Sequence, residues 1–200
     1  AQASRRSADD LMRNTPADGI VTGIGSINGA LFGAEASRAA VMAYDATVLA
    51  GTQGMRNHQK TDRLLGLALQ HRLPVVLFAE GGGGRPGDTD MPIVAGLHVT
   101  TFASFARLNG QVPVVGIAAG RCFAGNAALL GCCDVVIATR GSNIGMGGPA
   151  MIAGVNTCFT PWRNMRSMHF VIPSYPRRTY SALHGSTPAN IALRRVPPGA

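Results

Sequence analysis

The sequence predicts an α/β layered domain, and three features of it carry that prediction. Val75-Val76-Leu77-Phe78-Ala79, Val112 to Ala118 and Asp134 to Ala138 are short apolar runs of the kind buried on both faces of a parallel sheet. The first two feed turns of glycine and other small residues, Glu80 to Asp88 and Gly120 to Asn126. Helical patterns separate the runs, the alternation expected of layered α/β domains. In such folds ligands gather at the turns that follow the strands, so the chemistry is sought there.

Along the chain, Ser7-Ala8-Asp9-Asp10 has the form of a capping box and predicts a short helix to about Asn14, stopped at Thr15-Pro16. Ile20 to Ile27 and Ala30 to Phe32 flank Asn28-Gly29, a pair suited to positive φ, so a β-hairpin is expected. Ala39 to Tyr44 reads as another strand. From Met55 to about Arg72, Leu64, Leu65, Ala68 and Leu69 form one apolar stripe opposite Arg56, Lys60 and Arg63, which predicts an amphipathic helix closed by Leu73-Pro74. Helices are also expected over Ile93 to Leu108 and Ala127 to Leu130.

Composition bounds the function classes. The chain has 200 residues, 46% of them hydrophobic, 14% charged, and 26 glycines, enough to bury a core of one domain. No apolar run reaches the roughly 18–20 residues of a bilayer span, and Ala1 to Arg6 leads into no apolar segment, so a soluble, cytoplasmic protein without membrane partners is expected. Cys122, Cys132, Cys133 and Cys158 lack zinc-site spacing and read as buried small hydrophobes; no metal is expected. The net charge of +8 is concentrated at one end, because residues 155–200 contain six arginines and no acid. That segment is rich in proline, shows no regular period and is expected to be irregular, so the chain divides into 1–154 and a basic tail, 155–200. Truncation or a shifted reading frame, or a solvated linker, accounts for the tail more simply than a nucleic-acid arm built from Trp162, Arg163, Arg166, Arg177, Arg178 and Tyr180.

Familiar side-chain constellations are missing. Gly23-Ile24-Gly25 lacks the third glycine of a dinucleotide fingerprint, and no Walker lysine follows Gly84. Ser104 and Ser142 lie in no nucleophile elbow. His58, His71 and His98 are scattered; Glu80 and Asp88 could form an acid/base pair, or could simply cap the loop. Backbone amides remain. A Gly81 to Gly84 run brings N–H groups close to a ligand, and Ala124-Gly125-Asn126 opens a helix whose first amides are unpaired. Two such turns, converging, would make an oxyanion hole.

The run Val75 to Asp88, with Met42-Ala43-Tyr44-Asp45, Gly51-Thr52-Gln53-Gly54 and Gly145-Met146-Gly147-Gly148-Pro149-Ala150, resembles the carboxyltransferase part of biotin-dependent acyl-CoA carboxylases over about Arg5 to Gly154. The resemblance implies a crotonase-like fold, a spiral of β-β-α units, and covers only the first, acyl-CoA-binding half. It implies that amides of Gly82 or Gly83, with Gly125 and Asn126, polarise the thioester carbonyl, with Ala124 and Gly84 at the substrate. Arg85, Arg56 and Lys60 become candidates for CoA phosphates. Asn126 stands where the family usually has glycine. The implied cofactor is biotin on a separate carrier, and the implied partners are biotin carboxylase and carrier domains, a second carboxyltransferase domain, and further copies in a homo-oligomer. Another crotonase-fold activity, hydration or thioester hydrolysis with Glu80 or Asp88 as base, is the enzyme alternative; a scaffold or nucleic-acid binder using the tail is the other. Removing residues 155–200 separates the tail reading from the carboxyltransferase one: binding of an acyl-CoA is expected to survive the deletion, and its complete loss in a folded 1–154 chain would favour the tail.

Overall fold

The computed structural model describes residues 5–85, 88 and 99–147. The expected helix forms as α1 (Ala8–Asn14), with Ser7 Oγ accepting from the Asp10 N–H at 3.2 Å as its cap. A tight turn at Pro16–Gly19, with positive φ at Ala17, Asp18 and Gly19, leads into β1 (Ile20–Ser26). Asn28 takes its expected positive φ of 57°, but it does not close a two-residue hairpin. It opens α2 (Gly29–Ala36), so Ala30 to Phe32 is helical rather than extended. The chain still returns antiparallel, as β2 (Arg38–Tyr44), from Ser26↔Arg38 to Ile20↔Tyr44. The apolar triplet carried no period, and tertiary closure of the strand pair decided its conformation.

From β2 onward the fold repeats a strand, a second short strand and a helix. The units are β2, β3 (Thr52–Gln53) and α3 (Met55–Gln70); β4 (Val75–Phe78), β5 (Gly83–Gly84) and α4 (Thr101–Ala106); β6 (Val114–Ala118), β7 (Arg121–Phe123) and α5 (Gly125–Gly131). A further strand pair, β8 (Val135–Ala138) and β9 (Asn143–Gly145), follows. First strands of the units form a sheet in the order β1-β2-β4-β6-β8, parallel throughout except at β1. Second strands pair in parallel as β3 with β5 and β7 with β9, and a bridge from Gly81 to Cys122 links the two pairs. This is a spiral of β-β-α units. The helix expected over Ile93 to Leu108 begins at Thr101 within the described residues; the expected positions 93–98, like the tail, lie outside them.

One face of the sheet holds the core. Ala40, Met42, Val75, Leu77, Val114 and Ala118 are buried with Leu64, Leu65 and Ala68 of α3 and Phe105 and Leu108. Gly116 belongs to this face because a Cβ there would lie 2.5 Å from Leu130 Cδ1 and 2.8 Å from Cys133 Sγ, where α5 seats on the sheet. The opposite face is only partly covered. Val21, Ala43, Phe78, Ile117 and Ile137 form a row across all five strands, with Val21 62% and Phe78 40% exposed. The apolar runs thus suited burial on both sides, whereas one side is closed. Leu69 likewise leaves the predicted stripe at 39% exposure. Cys122 and Cys133 are buried as expected, whereas Cys132 is exposed; Cys158 lies outside the described residues.

Leu77 is fully buried at the centre of the sheet, so Leu77→Ala is expected to cost about 2–5 kcal/mol in denaturant unfolding. Phe78→Ala, on the open face, should cost less despite the larger side chain removed. Equal losses would contradict the one-sided core.

Candidate functional site

The glycine turn after β4 is held against β7 and the loop at Ala50 by backbone hydrogen bonds. Gly81 N–H donates to Arg121 O at 2.7 Å, and Phe123 N–H returns to Gly81 O at 2.9 Å. Gly82 N–H donates to Ala50 O at 3.0 Å. Gly83 has a φ of 86°, and a Cβ on it would stand 2.5 Å from Ala124 Cβ and 3.1 Å from Gly125 N. A Cβ on Gly125 would meet Gln53 Oε1 at 2.2 Å, and one on Gly81 would meet Gly51 O at 2.1 Å. Glycine is needed here for close approach, since real side chains could not fit between these segments.

The amides then divide into two groups. Gly82 and Gly83, the expected donors of the turn, are both engaged within the protein, Gly82 by Ala50 O and Gly83 by the Asn126 side-chain Oδ1 at 2.9 Å. Among the described residues, the amide of the turn left without an acceptor is that of Gly84. In the parallel register Gln53↔Gly84, Arg85 N–H donates to Gln53 O, which turns the N–H of Gly84 away from β3. A Cβ on Gly84 would meet nothing within 4 Å. On the helix side, Ala124 N–H donates to Gly145 O, and Ala128 N–H is the first to reach back, to Ala124 O. The N–H groups of Gly125 and Asn126 have no acceptor among the described residues, as the first turn of a helix requires. Ala124 itself takes a φ of 48° to set the helix start beside Gly83.

The cations fall into place differently from the sequence expectation. Arg85 has only 4% of its side chain exposed; its guanidinium meets Asp18 Oδ1 at 2.5 Å and Asp88 Oδ2 at 3.7 Å and donates to Thr52 O at 2.8 Å. It braces the turn against the first loop rather than facing solvent. Lys60 donates to Ala17 O and Ile20 O, closing the Pro16–Gly19 turn, and burial lowers its pKa against the opposing pull of Asp18. Arg56 remains on the exposed side, with its nearest partner Gln59 Oε1 at 3.0 Å. The carboxylates act as caps: Glu80 Oε1 accepts from Ala119 N–H at 3.1 Å, and Asp88 Oδ2 from Met55 N–H at 3.0 Å.

Several participants were not visible in the sequence. Asp18 accepts from Asn57 N–H at 2.8 Å as well as from Arg85, and Gln53 packs below Gly125 with its Nε2 donating to Tyr44 Oη at 3.1 Å. Burial pushes the Tyr44 phenol up to about 12, with the Gln53 and Thr61 hydrogen bonds opposing. Asn57, His58 and Thr61 extend the buried stripe of α3 toward its N-terminus with polar residues, so hydrophobic periodicity could not reveal them.

A spiral of β-β-α units that brings paired backbone amides to a turn and a helix start defines a crotonase-like protein. Comparison narrows it: the carboxyl transferase domain family matches residues 1–160, and the chain belongs to that family. A solved single-chain, multi-domain long-chain acyl-CoA carboxylase is 64% identical, with a TM-score of 0.71, over 77% of this chain and 15% of that one. The transcarboxylase 12S structure with methylmalonyl-CoA and methylmalonic acid bound is 28% identical, with a TM-score of 0.59, over 70% of this chain and 26% of that one. Among curated relatives, the methylmalonyl-CoA carboxyltransferase 12S subunit of Propionibacterium freudenreichii is 31% identical over 70% of this chain and 25% of its own. The long-chain acyl-CoA carboxylase beta4 subunit of Mycobacterium tuberculosis is 32% identical over 62% of this chain and 22% of its own. The chain thus spans about a quarter of the length of these curated relatives. Among the described residues no helix is long and apolar enough to cross a membrane.

The network beneath the turn gives the fold a pH signature. Thr101 donates its one hydroxyl proton to Asp62 Oδ1 at 2.5 Å, so at its 2.9 Å contact with His58 Nδ1 the histidine is the donor and the neutral ring carries its proton on Nδ1. Burial lowers the His58 pKa, with Asp62 opposing. The unfolded chain therefore binds a proton more readily, and this contribution to stability is complete above the ordinary histidine pKa of about 6.5 and is lost as pH falls below it. Thermal melts from about pH 7.5 down to about pH 5.5 should show a falling Tm in the wild type and a flatter profile in His58→Gln. Identical slopes would remove His58 from the account.

Proposed function

We propose that this chain supplies the acyl-CoA half of a biotin-dependent carboxyltransferase. The observation that carries the reading is the set of backbone N–H groups at Gly84, Gly125 and Asn126 that have no acceptor among the described residues, set about a turn where glycine permits contact-distance packing. A thioester carbonyl oxygen accepting from this set gains most when it becomes an enolate oxygen, because fixed amide dipoles favour the developing negative charge. Removal of one such donor typically costs about 2.7–4 kcal/mol in the transition state. The expectation for the turn is thereby moved from Gly82 or Gly83 to Gly84, with those two glycines acting as the frame. Gly125 and Asn126 keep the helix side, and Ala124 borders it.

Backbone donors of this kind fit a carbonyl oxygen, and in this reading the acyl thioester takes them; no residue of the chain is assigned to biotin. Carboxybiotin, delivered by a separate carrier domain, supplies the carboxyl group when docked. A second carboxyltransferase domain, a biotin carboxylase and further copies of the enzyme complete the assembly under this reading, and the cytoplasm is its place. Arg56 is left as the candidate for a CoA phosphate, since Lys60 and Arg85 hold the protein's own groups. The hydratase or thioesterase alternative needs Glu80 or Asp88 as a free base, and both carboxylates cap loop amides.

Calorimetric titration with acetyl-CoA tests the reading. Saturable binding is expected in the wild type and in Gly84→Ala, whose methyl enters open space and whose N–H remains. Gly84→Pro deletes that N–H and should weaken binding about tenfold, the scale of one hydrogen bond near 1.4 kcal/mol. No binding by the folded wild type, or equal affinity in Gly84→Pro, would defeat the assignment.

A further inference from the structure

The side chain of Asn126 is a feature that the open-amide reading leaves unused. It is fully buried, and its carboxamide joins two segments distant in sequence, the turn at Glu80 to Gly83 and the loop at Gly51, to the start of α5. Oδ1 accepts from Gly83 N–H at 2.9 Å, while Nδ2 lies 3.3 Å from Glu80 O and 3.4 Å from Gly51 O. The partners fix its orientation, since a flipped amide would set Oδ1 against two carbonyl oxygens and its NH₂ against an N–H donor. Gly51 and Gly81 are already in backbone contact, a Cβ on Gly51 coming within 2.8 Å of Glu80 O and of Gly81 Cα. The carboxamide is therefore the side-chain bolt of a junction otherwise made by glycine packing and backbone hydrogen bonds.

We infer that the Asn126 side chain is a positioning residue for the proposed site, holding the Gly83 peptide so that the next amide, Gly84 N–H, faces the same space as the N–H groups of Gly125 and Asn126. The inference rests on the acyl-CoA reading and deepens it. The same residue then acts twice: its backbone N–H is one of the open donors, and its side chain sets the place of the donor on the opposite turn. Gly83 N–H is spent in this role. It could not also meet the thioester oxygen without releasing the carboxamide, whose acceptor atom would then be left buried and unsatisfied.

Two readouts test this, and neither requires turnover. Amide hydrogen exchange in the intact chain should show Gly83 protected in the wild type and exchanging at least about tenfold faster in Asn126→Ala, with Gly82, bound to Ala50 O, unchanged as the control for folding. With [1-¹³C]acetyl-CoA bound, the thioester C=O infrared band should lie below that of the free thioester in the wild type, and in Asn126→Ala it should lose at least half of that displacement while the Kd for CoA itself is preserved. A merely structural asparagine would alter melting temperature but not the band of a ligand that still binds. Asn126→Gly serves as a second variant if the alanine variant does not fold. An unmoved carbonyl band, or unchanged Gly83 exchange, in a folded variant overturns the inference alone. Failure of the folded wild type to bind acetyl-CoA overturns the parent reading and this one with it, and that outcome is read from the wild type without any variant.

Discussion

Contact-distance packing of backbone against backbone is the constraint on which the site depends. Gly51, Gly81, Gly83 and Gly125 each lie where a Cβ would fall within 3.1 Å of a neighbouring atom, so three loops share a space that side-chain-bearing residues would force open. The spiral produces this closeness. Each second strand runs beside the next unit's second strand, and the turn after β4 is thereby threaded between the loop at Gly51 and the start of α5. A substitution at these glycines changes the separation of the loops before it changes any chemical group.

Packing so close leaves few ways to satisfy buried polar groups, and the solutions are specific. The amides of Gly81 and Gly82 use carbonyls of neighbouring segments, and Gly83 uses a side chain. Arg85 and its two carboxylates close the junction from the other side, with the side chain of Asp18 6% exposed and that of Asp88 2%. Buried pairs of this type add little over a hydrophobic substitute but are costly to break singly, since the remaining charge has nowhere to go. The clamp therefore fixes geometry more than it adds stability.

The repeating part of the fold was legible in the sequence because each element had a period or a boundary of its own. The parallel strands follow continuous apolar runs, α3 follows its leucine stripe, and α1 follows its capping serine. The segment Ala30 to Phe32 was illegible because three apolar residues have no period, and Asn28 permits a helix start as readily as a hairpin turn. Within the proposed site, the glycine turn and the helix start were readable as segments with amides to spare. Which amides stay open was not, because the answer depends on partners such as Ala50 and Asn126 that lie far away in sequence. The bonds of Asn126 to Gly83 and Gly51 span 43 and 75 residues, and no local pattern encodes them.

The half-open face of the sheet has a consequence of another kind. A row from Val21 through Phe78 to Ile137 crosses four interstrand spacings, about 19 Å, and is apolar throughout, with Val21 and Phe78 exposed and Ala43, Ile117 and Ile137 half-buried. Such a surface makes the chain's behaviour in a test tube a matter of solvent quality. Sulfate and phosphate, excluded from protein surfaces, favour the covering of such a face, and cooling weakens that tendency. Solvent composition thus acts on the sheet, at a distance from the glycine junction.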